Sequence, residues 1–159
     1  MLAALVAGCA SPGGGLVPGK STVAEVEAQM GRPTERMARA DGGADLYYSR
    51  LPYGRSVHVV TLGADGVVKA VEQRLERANF KKIAVGSSTT KDVRALLGPP
   101  GATGRLGRLE RTWWEYRFFD YQERRVLWVQ FSDDGVVREV LDMIDPEDEK
   151  YRDGMDGRN

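Results

Sequence analysis

Cysteine and histidine are almost missing from this chain: Cys9 and His58 are the only ones in 159 residues. A lone cysteine excludes an internal disulfide. With no Cys pair and no His-x-Glu or Cys-x-x-Cys spacing, no zinc site can be assembled. His58 lies in the alternating run SVHVVTL, where a strand histidine among valines reads as a packing or surface residue, so nucleophilic catalysis has no visible centre. Net charge is lacking as well, with 23 basic against 23 acidic side chains, which gives no electrostatic reason to expect nucleic acid or a polyanionic substrate. Apolar runs are short. The longest, MLAALVAGC at the N-terminus, has the length of a signal-peptide apolar region and is too short to span a bilayer.

One phosphate-loop pattern is present. Gly14, Gly19, Lys20 and Ser21 in GGLVPGKST match G-x-x-x-x-G-K-[ST]. The pattern carries chemistry only where a buried strand leads into the loop and a helix leaves it. Here Ser, Pro and Gly precede it, and no strand ending in a magnesium-holding carboxylate follows. Neither nucleotide nor any other dissociable cofactor is expected.

An internal repeat organises the rest. PGKSTVAEVEAQMGRP aligns without gaps on VGSSTTKDVRALLGPP, Gly86 falling on Gly19. Gly19/Gly86, Ser21/Ser88, Thr22/Thr89, Val26/Val93, Gly31/Gly98 and Pro33/Pro100 are identical pairs. Further along, Leu46 and Tyr48 match Trp114 and Tyr116, and Asp65-Gly66-Val67-Val68 matches Asp134-Gly135-Val136-Val137.

In each copy, Thr22 with Glu25 and Thr89 with Asp92 have capping-box spacing. Val23, Val26 and Met30, then Val93 and Leu97, form a narrow apolar stripe, which Gly31 or Gly98 and the following proline terminate. Helices this short need a sheet to lie on. Three strand-like runs follow in each copy, over 44–50, 56–62 and 67–75 and over 112–119, 125–131 and 136–143, with Asp65-Gly66 and Asp134-Gly135 as hairpin turns. The segments after Pro33 and Pro100 hold either a second helical turn or a loop. The expected fold is α+β, two tandem helix(-helix)-strand-strand-strand units whose antiparallel sheet carries short helices on one face. The units cover residues 19–76 and 86–145, with 77–85 as linker and 146–159 as a charged tail too poor in apolar residues to order.

These residues resemble a known family. A G-x-[ST]-x-x-[ED]-V helix ending in L/M-G-x-P, an aromatic W-x-Y pair and two strands joined by D-G-x-V resemble the BamE/SmpA family of outer-membrane lipoproteins. The small residues before Cys9 resemble a bacterial lipobox, which makes 1–8 a signal remnant and 9–18 a lipidated cysteine with its tether, although no Lys or Arg precedes the apolar run. The resemblance implies a covalent lipid on Cys9, periplasm-facing anchoring in the outer membrane, and a non-catalytic scaffold or accessory role in outer-membrane protein assembly or envelope integrity. Its partner would then be an envelope protein such as a component of the β-barrel assembly machinery. The tandem unit also resembles the β-lactamase-inhibitor proteins. That resemblance implies the alternative, an inhibitor-like protein that binds a periplasmic enzyme through the open sheet face.

Strand alternation locates a candidate binding surface. Trp114, Tyr116 and Phe118 share one face with Leu127, Val129 and Phe131, and this face is expected to meet the helices. Trp113, Glu115, Arg117 and Trp128 fall on the other, with Tyr47 and Val59 of the first copy beside them if the two sheets join. Large aromatics on a polar sheet face suggest an interaction patch. The alternative is that loops or the neighbouring copy cover this face.

Overall fold

A computed structural model describes residues 14–147. The expected lipidation site Cys9, the signal remnant, the start of the tether and nearly all of the charged tail lie outside the described residues. In chain order the elements are α1 (Val23–Met30), β1 (Glu35–Ala38), β2 (Ala44–Ser49), β3 (Val57–Leu62), β4 (Val68–Gln73), α2 (Arg77–Phe80), α3 (Thr90–Leu97), β5 (Ala102–Leu106), β6 (Arg111–Asp120), β7 (Glu123–Ser132) and β8 (Val137–Ile144). The strands form two separate four-stranded antiparallel sheets, ordered β1-β2-β3-β4 and β5-β6-β7-β8.

The repeat is visible bond by bond. Thr22 and Thr89 each close a complete capping box, with Glu25 and with Asp92. Ahead of each helix, the Gly19 and Gly86 N–H groups donate to Val68 and Val137 carbonyls, each at 2.8 Å. The hydroxyls of Ser21 and Ser88 accept from the N–H of Val17 and of Ala84. Each helix is thus tied at its start to the last strand of its own sheet. At the other end, Gly31 and Gly98 have φ of 78° and 82°, a conformation that favours glycine and stops the helix.

The segments after Pro33 and Pro100 contain strands, correcting the expectation of a helical turn or loop: β1 and β5 pair antiparallel with β2 and β6. Both are short edge strands rich in polar residues, so their pairing leaves little hydrophobic signal. Residues 77–85 are also more than a linker. They contain α2, and they bury Phe80 and Ile83 in the same core cluster as Tyr116 and Leu127.

Packing places α3 between the sheets. On the first sheet, Leu46, Val60, Leu62 and Val68 bury against Val26 of α1. Its opposite face, with Tyr47, Val57 and Val59, joins Val93 and Leu97 of α3 in one core with Tyr116, Phe118, Leu127, Val129 and Phe131 of the second sheet. The layers therefore run α1, first sheet, α3, second sheet. Leu127, Val129 and Phe131 point to the core as the alternation predicts, and Trp114 packs on it with its ring centroid 4.8 Å from that of Phe131.

Candidate protein-binding face

The second sheet keeps one face outside these layers. Register puts Gly104 opposite Trp113, Trp113 opposite Gln130, and Glu115 opposite Trp128, which in turn lies opposite Leu141. Trp113 and Trp128 are diagonal neighbours on adjacent strands. Their rings stack with centroids 5.0 Å apart and planes 12° from parallel, and both side chains are half-buried. Beneath Trp113 there is no side chain: a Cβ on Gly104 would lie 2.4 Å from its Cζ2. The glycine lets the indole lie flat on the edge strand, in the aromatic–glycine arrangement that pins sheet edges.

Hydrogen-bonded charges border the stack on both sides. Arg111 Nη1 donates to Gln130 Oε1 at 3.1 Å and to Glu139 Oε2 at 3.2 Å. On the other side, Glu115 accepts Trp128 Nε1–H at 2.9 Å and Arg117 Nε–H at 3.0 Å. Arg117 also pairs with Glu147 at 2.9 Å. Beyond it, the loop between β2 and β3 reaches across from the first sheet. Its Arg55 lies over the Phe119 ring at 5.6 Å and pairs with Asp145, which is fully buried. Tyr53 in the same loop is 100% exposed, and Phe119 is 52% exposed.

Of the residues singled out in the sequence, Trp113, Trp128 and Arg117 come together here. Tyr47 and Val59 do not, which corrects the expectation that they extend this face: both are 0% exposed because α3 covers that side of the first sheet. Burial pushes the Tyr47 phenol up to about 12, with Asp45 adding to the shift, so it remains a hydrogen-bond donor at neutral pH. Sequence reasoning missed Arg55, Tyr53 and Gly104. The two loop residues are more than fifty positions from β6 in sequence, and nothing local to them predicts that the loop folds over the second sheet.

The remaining candidates have structural roles. The N–H groups of Gly19, Lys20 and Ser21 already donate to carbonyls of Val68 and Val17, and those of Thr22 and Val23 to Glu25 and to Gly66. A phosphate loop needs such donors pointing at its ligand. His58 sits in β3 opposite Tyr48 and Gln73, and burial, with Arg50 adding, holds it below its ordinary value. Among the described residues, no group of three His, Cys, Asp or Glu side chains could hold a metal ion.

The fold is α+β, with short helices on two antiparallel sheets. No family model matches the chain, and no curated protein matches it. A DUF4309 family protein from Bacillus subtilis is similar in structure, with 18% identity, coverage of 82% of this chain and 83% of that chain, and a TM-score of 0.32. A candidate β-lactamase inhibitor protein from Streptococcus mutans is similar with 10% identity, coverage of 77% and 82%, and a TM-score of 0.33. Similarity at this level carries no argument about function, and none of these comparisons supports the BamE/SmpA resemblance.

Proposed function

We propose that this chain is a non-catalytic binding protein of the bacterial envelope, anchored by lipid on Cys9, that holds a folded protein partner on the outer face of its second sheet. The observation that carries the reading is the Trp113–Trp128 stack, half-buried and bordered on both sides by side chains whose hydrogen bonds are already satisfied. Aromatic anchors inside a paired polar rim are the usual anatomy of a binding hot spot. The rim charges need no rearrangement to lie beside a partner, so the cost of desolvating an unpaired ion is avoided.

The lipobox-like residues before Cys9 motivate the anchor, and Ala10, a non-acidic residue, favours sorting to the outer membrane, facing the periplasm. One acyl chain gives only marginal membrane binding, at roughly 0.8 kcal/mol per buried CH2, so a multiply acylated cysteine is expected. Fractionation of the full-length precursor and its Cys9→Ser variant, with mass spectrometry of the N-terminal peptide, tests this half. Identical fractionation together with an unacylated peptide overturns it.

In-cell crosslinking followed by pull-down tests the other half. Wild type is expected to retain a partner that the folded double variant Trp113→Ser/Trp128→Ser loses. Barrel-assembly components would make the protein an assembly accessory, and a single soluble hydrolase would make it an inhibitor. Equal recovery of partner by the two forms rules out this face.

A further inference from the structure

On the opposite, inner side of the second sheet is an open cleft of about 640 Å³. Its origin is geometric. α3 has eight residues and spans about 12 Å, whereas the ten-residue strands β6 and β7 run about 33 Å, so the helix ends before the strands do. Past the helix start, the half-buried Trp114 and Met37 of the first sheet line the cleft, with the buried Phe131 packed against Trp114.

Three cations surround this apolar floor: Lys91, Arg94 and Arg105. Arg94 is paired with Glu35 at 2.9 Å, and Arg105 makes two hydrogen bonds to Asp133, at 2.9 and 3.2 Å. Lys91 has no ion pair among the described residues. Its neighbour Asp92 is bound to Thr89 in the capping box. The cleft therefore combines an apolar floor, a volume in the range of small-ligand sites, and one cation that makes no ion pair among the described residues.

We propose that the cleft binds a small amphipathic anion, with its apolar body against the half-buried Trp114 and Met37 and its single carboxylate or sulfonate on Lys91. The site does not depend on the partner-binding face, because Trp114 and Trp113 point to opposite sides of the sheet. A ligand with two or more charges would place the excess against Asp133, and an uncharged one would leave Lys91 unused.

Titration of octanoate into the full chain, followed by 15N–1H spectra, tests the site. Saturable shifts are expected at the Lys91 and Arg94 amides and at the Trp114 indole N–H. Octanol and acetate should each bind about tenfold more weakly or worse, since one lacks the charge and the other the apolar body. Lys91→Ala should weaken octanoate about tenfold and leave octanol unchanged, with the thermal midpoint retained because Lys91 is exposed. The proposal is overturned if octanoate gives no saturable shift, if octanol or acetate binds equally well, or if Lys91→Ala leaves octanoate affinity intact.

Discussion

The Tyr47 hydroxyl donates a 2.6 Å hydrogen bond to the carbonyl of Ala95, joining a strand of the first sheet to the last turn of α3. That carbonyl has no donor within its own helix. The residue four positions on is Pro99, which lacks an N–H. The prolines that stop α3 thus create an acceptor, and a tyrosine from the other sheet fills it. Removal of the hydroxyl in Tyr47→Phe deletes this part-buried bond, so a loss of about 1 kcal/mol is expected by urea denaturation. A loss below experimental error would mean that the bond does not hold the two halves together.

Gly31 and Gly98 occupy equivalent places with nearly equal φ, and only their surroundings differ. A Cβ on Gly31 meets nothing within 4 Å, whereas one on Gly98 lies 2.9 Å from Tyr47 Cδ1 and 3.0 Å from Val57 Cγ1. Gly31→Ala should cost about 1 kcal/mol for the positive φ alone. Gly98→Ala should cost at least about 1 kcal/mol more, because it overpacks the layer between α3 and the first sheet. Equal denaturation midpoints for the two variants would falsify the layer order.

Gly104→Ala is expected to lift Trp113 off the edge strand and break its stack on Trp128. A reduced aromatic near-ultraviolet circular dichroism signal, at a cost of about 1–3 kcal/mol, is the expected result. An unchanged spectrum would show that Trp113 does not rest on the glycine.

Asp145 titrates under opposing influences. Burial pushes its carboxyl up, but the Glu147 N–H, then Arg55, with Arg117 further off, outweigh burial and hold it below its ordinary value of 3.8. A carboxylate lowered in the folded state contributes stability that is complete above the unfolded value and is lost as pH falls through the folded one. Asp145→Asn should therefore cost about 3 kcal/mol at neutral pH, as expected when a buried ion pair loses one member. The difference from wild type should begin to close only below about pH 4. A gap that closes near neutrality would point to a different group.

Lys20 is exposed, with its backbone N–H taken by Val17. Lys20→Ala should change stability by no more than about 0.5 kcal/mol. Magnesium and ATP should leave the melting temperature of wild type unmoved, and a shift that vanished in Lys20→Ala would restore the phosphate-loop reading.

Much of this protein was legible from local chemistry. Thr22 with Glu25 and Thr89 with Asp92 mark the helix starts, Gly31 and Gly98 the stops, and Asp65-Gly66 and Asp134-Gly135 the hairpins, because each needs only residues within a few positions of one another. Alternation likewise separated Trp113 from Trp114, since neighbouring strand residues must face opposite sides. β1 and β5 escaped detection because a short polar edge strand is defined by the partner it pairs with and not by its own pattern. Tyr47 was misplaced for a related reason. It belongs to a strand with apolar residues at adjacent positions, Leu46 and Tyr47, and such a strand is buried on both faces by whatever the rest of the chain brings there. Only the packed structure could decide that α3 fills the space over Tyr47 and that the Arg55 loop borders the Trp113–Trp128 face. Both contacts join residues more than forty positions apart, and burial of the shared core selects them, not any preference within either segment.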